Sequence, residues 1–393
     1  MEEKRRELTG SYETGHIGVL DGVRVLAVGL VVWFHFWQQS WLSPQVGELN
    51  LDWLPRTGYL MVDMMIFLSG FCLFLPYARS MVYAEETQRV SAFYVKRAAR
   101  ILPSYYAAVV IALIFALFMG AYGNGGAIAK DLVPHVFLVH NFFPASTMAT
   151  KLNGVLWTVA VEAQLYVLFP LFAKFFQKKP MPTYIGMSLI GVLSSYFIGQ
   201  NMETLNPAIY VNHLLTFISV FANGFLAAWI YVSMTEGRQR KKAEEILWTG
   251  IAIICVYVYF LLTKELQSAS SGSKWQVENR YLLSLVFMLF VIAVMFSAKW
   301  FRRILDNRVM AFLSGISYNL YIWHQYIAVK FKEFRIPHWD GECPNKLGDR
   351  IWQWKYVAGC LLLSLFAAVV MTYLLERPLS KKILALYNRH VLK

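Results

Sequence analysis

Leu20-Asp-Gly-Val-Arg24-Val-Leu-Ala-Val-Gly-Leu-Val-Val-Trp-Phe-His35-Phe36 is the stretch that decides how the rest of the chain is read. It is long and apolar enough to cross a hydrocarbon core, yet it carries an arginine and a histidine. On an α-helix, eleven residues make about three turns plus ~20°, so Arg24 and His35 share a face and stand ~16 Å apart along the axis. Ionisable side chains are costly inside a bilayer, and where they occur they mark a functional site by default.

The composition agrees with a membrane setting. Of the 393 residues, 57% are hydrophobic and only 16% are charged, and the mean hydropathy is +0.44. These values place the chain among polytopic membrane proteins. The net charge of +13 would point to nucleic acid in a soluble chain; in this one it reports orientation, and no nucleic-acid partner is expected. Residues 1–16 are polar and no small-residue cleavage site follows the first apolar run, so no cleavable signal is expected. Cys72, Cys255, Cys343 and Cys360 are scattered, which gives no disulfide or zinc framework, and no metal is expected.

Windows of ~20 apolar residues mark spans. Ten are expected, at 17–38, 58–78, 101–121, 153–175, 182–199, 212–233, 246–264, 281–298, 310–330 and 355–376. The fold class is therefore an all-α polytopic membrane helix bundle of about ten transmembrane helices, in a single domain over 1–393. An even number of spans puts both termini on one side. The terminal segments and the loops on their side carry 24 Lys and Arg, the other loops 12. By the positive-inside bias both ends are cytoplasmic and the protein is a multi-pass protein of the cell membrane. The tail after 376 is too short for a further core.

This topology assigns a depth to each polar group. Arg24 falls in the cytoplasmic half of the first span and His35 in the outer half. Asp63, Glu162 and His324 fall in a layer similar to that of His35. Two imidazoles and two carboxylates at one depth suit general acid–base work, with a histidine taking a proton and a carboxylate orienting it. Each alone is equally well read as a paired residue of a helix bundle. Trp157, Ser69 and Tyr321 lie close by and are candidate substrate contacts, together with His324.

On the cytoplasmic side, Lys96, Arg97 and Arg100 occupy one turn just before the third span, with Pro103 in its first turn. The i, i+3 spacing aligns Arg97 and Arg100 on one face, and guanidinium groups hold phosphates bidentately. A positive-inside anchor is the plainer reading of the same residues. The cluster at 238–242 reads as topogenic or lipid-facing. Glu376-Arg377-Pro378 closes the last span, as an ion pair with a proline stop or as a functional pair. Ser69-Gly70 and Ser314-Gly315 read as small-residue packing sites before nucleophiles, and His135 and His140 as solvated loop histidines.

Taken in order, these fragments resemble the acyltransferase-3 family of integral membrane acyltransferases. Arg24 to His35 within Leu20-Asp21-Gly22-Val23-Arg24 is similar to its opening Arg-x10-His signature. Gly58 to Phe71, with Val62-Asp63 and Ser69-Gly70, resembles its second-span pattern. Arg97-x2-Arg100 with Pro103 and Tyr105 is similar to RxxRxxPxY. Trp157 to Tyr166, with Glu162 and Gln164, resembles WSLxxExxFY, with Thr158 in place of serine. Ser317 to His324, with Tyr321, resembles SYxLYLxH, and Glu376-Arg377-Pro378 the closing ExP. The departures, Met64 and Met65, leave the chemistry untouched.

The resemblance implies about ten core helices and transfer of an acyl group, commonly acetyl, from cytoplasmic acyl-coenzyme A to a hydroxyl, usually on a cell-surface or lipid-linked glycan. It implies that Arg24 and His35 are essential and that Arg97 and Arg100 serve the coenzyme. Some relatives carry a C-terminal esterase-like domain; none is expected here. No cofactor would be permanently bound: acyl-coenzyme A is a co-substrate, and membrane lipids and the hydroxyl acceptor are the other partners. In the mechanism expected from depth and resemblance together, Arg97 and Arg100, with Lys96 beside them, bind the phosphates. Arg24 lies deeper on the same route, and His35, oriented by Asp63 or Glu162, is the general base. The alternative is a proton-coupled transporter or exporter using the same histidines and carboxylates as a relay.

Overall fold

The computed structural model describes residues 16–235 and 241–391. Residues 238–240 of the basic cluster at 238–242 lie outside them. The described chain is a helical bundle, relieved only by a two-residue antiparallel pairing of Gln45–Val46 with Leu49–Asn50.

The helices follow in chain order. They are α1 (Gly18–Ser40), α2 (Met61–Tyr83, entered through a 3-10 turn at Gly58–Leu60), α3 (Val90–Phe118), α4 (Gly125–Val136) and α5 (Leu156–Lys178). Next come α6 (Pro180–Gln200), α7 (Leu214–Thr235), α8 (Lys242–Ser268) and α9 (Gly272–Phe296). The short α10 (Lys299–Leu305), α11 (Arg308–Glu333), α12 (Arg350–Val370) and α13 (Arg377–Val391) complete the bundle.

Local sequence sets many of the ends. Asn307 accepts hydrogen bonds from the backbone of Val309 and Met310 to start α11. Asp349 and Ser271 do the same for α12 and α9. A capped amide is one fewer orphan donor in an apolar setting. At the far end of α1 the chain leaves through Trp41 in a left-handed conformation.

Among the described residues, nine helices are long and apolar enough to cross a membrane. The ninth expected span, α11, is not one of the nine. It has 26 residues, enough for ~39 Å, but Ser314, Ser317, Asn319 and His324 lower its hydropathy. Those four side chains are buried inside the bundle, so α11 spends its polarity on neighbouring helices rather than on lipid.

α1 and α11 run side by side in parallel. Arg24 bonds Ser314, 290 positions on, and His35 meets His324, 289 positions on. A near-constant offset along two helices is the signature of parallel packing in register. The core is centred on α2 and α7, where a side chain on Gly70 would start 2.5 Å from the Phe221 carbonyl oxygen and one on Gly224 would start 2.5 Å from that of Phe67. Gly70 is thus a close-approach site between helices, as small residues in membrane bundles often are.

Two boundaries differ from expectation. The third span begins at Val90, so Lys96, Arg97 and Arg100 lie within α3 instead of ahead of it, and Pro103 lies in its interior instead of its first turn. The segment 122–152 is not an exposed loop. α4 turns back along α3 until the Tyr105 and Tyr106 hydroxyls donate to the His135 and Val136 carbonyls, at 2.7 and 2.8 Å. Tyr105 is thirteen residues, ~20 Å, short of the end of α3. At the other end of the chain, α12 widens into a π-helical turn at Met371–Glu376 before α13. α13 packs back on the start of α3, where Tyr387 and Ser91 share a hydrogen bond of 2.8 Å.

Candidate active site

A cavity of about 120 Å³ opens between α1, α2, α3, α5 and α11. Its polar wall is made by Arg24, Ser69, Arg97, Arg100, Thr158, Glu162, Tyr166 and Ser317, and its apolar wall includes Val28, Ile66, Leu73 and Ile101. Three guanidinium groups and one carboxylate therefore border the cavity itself. Arg97 and Arg100 reach it from one face of α3, three residues apart. The Arg97 Nε is buried with no hydrogen-bond partner among the described residues. A buried charged donor without a partner is expensive, and an acceptor bound in the cavity would supply one.

Arg24 is held from behind. Its Nη1 donates to Ser314 Oγ at 3.1 Å, and Ser314 Oγ donates in turn to Asp21 Oδ1 at 2.7 Å. Asp21 is buried and lies 3.8 Å from the same guanidinium. The arginine is held in place because the carboxylate behind it is itself fixed. On the opposite wall, Glu162 accepts from Ser69 at 2.9 Å and from the Tyr166 hydroxyl in a shorter contact.

Farther along the same stripe of α1 sits His35. Arg24, Val28, Val31 and His35 recur at four, three and four residues, which keeps them on one face. His35 Nδ1 lies 3.1 Å from the Val31 carbonyl oxygen and 2.9 Å from His324 Nε2. His324 Nδ1 lies 2.7 Å from the Tyr321 carbonyl oxygen. His324 is fully buried, whereas His35 is only half-buried. The Tyr321 ring stands 5.5 Å from that of His324 and also lines the cavity, so it borders both the histidine pair and the arginine-lined space.

The expected layer of four acid–base residues is divided. His35 and His324 meet, but neither carboxylate touches them. Asp63 is wholly buried against Arg280, whose Nε is 3.3 Å from both of its oxygens. It is therefore already committed and does not orient His35. Glu162 is tied to Ser69 and Tyr166 on the cavity wall and does not orient His35 either. Lys96 is exposed and turns away to Gln88 at 3.2 Å, outside the cavity lining. Position i+1 on a helix points about 100° away from its neighbour, which separates Lys96 from Arg97. Trp157 stacks on Phe217 at 6.3 Å and does not line the cavity. His324 faces His35 and not the cavity. Arg24, Arg97, Arg100, Glu162, Ser69 and Tyr321 do converge on it.

Reasoning from the sequence missed Arg280, which it left as a loop cation just ahead of a span drawn from 281. α9 starts at Gly272 and carries Arg280 into the interior, where Nη1 donates to the Val211 carbonyl at 2.5 Å and Thr216 at 2.6 Å, with the Phe217 ring 4.2 Å away. An arginine within one turn of an apolar run was the available signal. His135 and His140 are also corrected. They are buried, with rings stacked at 3.9 Å, and burial lowers the proton affinity of both, that of His140 to about 2. Among the described residues, no group of three or more His, Cys, Asp and Glu could hold a metal ion.

Comparison with known proteins gives one family and a set of distant relatives. The family described as "Acyltransferase domain" matches residues 17–375. O-acetyltransferase OatA of Staphylococcus aureus strain NCTC 8325 is 22% identical over 96% of this chain and 59% of its own length. A protein of S. aureus strain COL, named as an O-acetyltransferase, is 23% identical over 82% of this chain and 52% of its own length. The chain thus spans just over half the length of these curated relatives. No solved structure matches.

Proposed function

The chain belongs to the acyltransferase-3 family of integral membrane acyltransferases, and on that premise we propose that it moves an acetyl group from cytoplasmic acyl-coenzyme A to a hydroxyl of a cell-surface or lipid-linked glycan. The observation that carries this reading is the cavity whose lining brings together Arg24, Arg97 and Arg100, with Glu162 as the carboxylate among them. Phosphates on a coenzyme supply the anions such a set requires, and arginine forks hold them better than point charges do. The names of the relatives support acetyl as the group and oxygen as the acceptor. The 24-to-12 division of cations supports cytoplasmic termini in the cell membrane, with the arginine face of α3 on the donor side.

In the proposed reaction, Arg97 and Arg100 hold the coenzyme's phosphates, and Arg24, braced by Ser314 and Asp21, extends the positive wall inward. The pantetheine arm follows the Arg24–Val28–Val31–His35 stripe and brings its thioester to His35. The acceptor hydroxyl approaches from the other side. His35 takes its proton as the oxygen attacks the thioester carbon. The tetrahedral intermediate then expels the thiolate, the C–S bond breaks, and His35 returns the proton to sulfur. The products are an ester and free coenzyme A, with no net proton released. General-base assistance of this kind is typically worth about 10²–10⁴-fold.

The test is mass spectrometry of cell-envelope glycans from cells with and without the protein. Loss of one acetyl mass from a defined glycan, restored by the wild-type chain and not by His35→Ala, is expected. An unchanged glycan profile, with no acetyl-coenzyme A consumed by the purified protein, would refute the reading.

A further inference from the structure

We infer that His324 is a positioning residue that fixes the tautomer of His35, so that His35 Nε2 is the atom that accepts the substrate proton. This rests on the reading of His35 as the base and names the atom and partner that make it one.

The argument runs from fixed acceptors. His324 Nδ1 lies 2.7 Å from the Tyr321 carbonyl oxygen and 3.2 Å from that of Leu320. A carbonyl can only accept, so Nδ1 carries a hydrogen. In the neutral ring, Nε2 of His324 is then a bare acceptor. His35 Nδ1 lies 2.9 Å from that nitrogen and 3.1 Å from the Val31 carbonyl oxygen. Both of its neighbours accept, so Nδ1 of His35 also carries a hydrogen. Its Nε2 is left with a free lone pair, and it has no hydrogen-bond partner among the described residues. The charged alternative, with His324 as an imidazolium, would aim the bare Nδ1 of His35 at the Val31 oxygen and bury a cation in the bundle.

The arrangement does for His35 what a carboxylate does for the base in a Ser-His-Asp triad. Here a neutral ring does it, inside a membrane, where a second carboxylate would need its own cation. Asp63 has spent its charge on Arg280, and Glu162 accepts from Ser69 and Tyr166. When Nε2 takes the acceptor's proton, the Nδ1–H···Nε2 bond to His324 remains and shares the new positive charge. When the thiolate leaves, Nε2 gives the proton to sulfur and the pair returns to its starting state.

Side-chain shape supplies the test. Glutamine at 324 can place its amide oxygen where Nε2 lies and keep the acceptor. Asparagine can keep only the contact to the Tyr321 carbonyl. The full chain in lipid nanodiscs would be assayed with radiolabelled acetyl-coenzyme A and an envelope glycan preparation. His324→Asn should lower kcat by on the order of 10²–10⁴-fold, and His324→Gln by no more than about tenfold, both with unchanged KM for acetyl-coenzyme A. Equal effects of the two substitutions, in proteins of normal thermal stability, would overturn the inference. Nitrogen-15 NMR of ring-labelled wild-type protein, with His35 assigned by its loss in His35→Gln, decides the matter even where a 324 variant does not fold. A protonated Nδ1 and a bare Nε2 on His35 are expected, and the reverse would overturn it. Full turnover in a stable His35→Ala protein would instead defeat the base assignment itself. An inactive His35→Ala beside a fully active His324→Asn would defeat only the role of His324.

Discussion

Asp63 and Arg280 form one charged centre inside this bundle; Arg24, Arg97 and Arg100, facing Glu162, form another. Both centres put arginine among apolar helices, and they are finished in opposite ways. Arg280 is fully buried, bonds Asp63, the Val211 carbonyl and Thr216, and lies over the Phe217 ring. Its donors are consumed by the protein. Arg97 keeps a buried Nε without a partner and borders open space, in a lining where cations outnumber carboxylates three to one. The difference separates scaffold from site. A buried ion pair whose guanidinium is consumed within the protein fixes how helices meet, although Asp63 Oδ1 keeps no hydrogen bond, whereas Arg97 has a spare Nε beside a cavity to offer.

The strongest way to break this contrast is to unpair the scaffold centre. Arg280→Ala leaves Asp63 buried and uncompensated, which typically costs about 3–5 kcal/mol, so the thermal midpoint in detergent should fall steeply. The double change Asp63→Leu with Arg280→Met removes both charges and should recover most of that loss. A double variant that stays stable but no longer binds acetyl-coenzyme A would move the pair from scaffold to site.

A smaller effect is expected at the seam that the pair helps to hold. Gly70→Ala puts a Cβ about 2.5 Å from the Phe221 carbonyl, a backbone atom that cannot swing aside. Overpacking of this kind costs about 1–3 kcal/mol. Stability should fall while the affinity for acetyl-coenzyme A in the folded fraction holds. A neutral outcome would mean that α2 and α7 separate readily.

The mildest effect is expected in the segment that folds back along α3. Burial lowers the proton affinity of His135 and His140, so below the ordinary histidine value of about 6.5 the unfolded segment binds protons that the folded one excludes. Stability is therefore fully present above that pH and is lost progressively as pH falls below it. Hydrogen exchange should show faster opening of 125–142 at pH 5 than at pH 7.5, with α2 and α7 unchanged. Equal protection at both values would show that the stacked pair does not hold the segment.

The contrast also explains what could be read from sequence. Hydropathy gave the spans, and the eleven-residue spacing gave the shared face of Arg24 and His35, because both are properties of one helix. Arg97 and Arg100 were legible for the same reason. The partner of His35 was not. Depth fixes one coordinate of a side chain, and Asp63, Glu162 and His324 shared a layer; which way each points around its helix depends on packing between segments far apart in the chain. Asp63 meets an arginine 217 residues away, and His35 a histidine 289 away. α11 was legible as a long helix despite its polar residues, and two of them, Ser314 and His324, proved to be its polar contacts with α1.

The central claim is that the arginine-lined cavity binds the donor. The most direct measurement is calorimetric titration of acetyl-coenzyme A into the wild-type chain and into Arg97→Ala/Arg100→Ala, with thermal stability recorded for each. Charge-assisted contacts are worth about 1.5–3 kcal/mol apiece, so binding should weaken by roughly 10- to 100-fold per arginine removed, in variants whose thermal midpoint shows them folded at the titration temperature. Substitution by lysine should restore only part of it. Wild-type affinity in the double alanine protein would contradict the account and leave the two arginines as topological anchors.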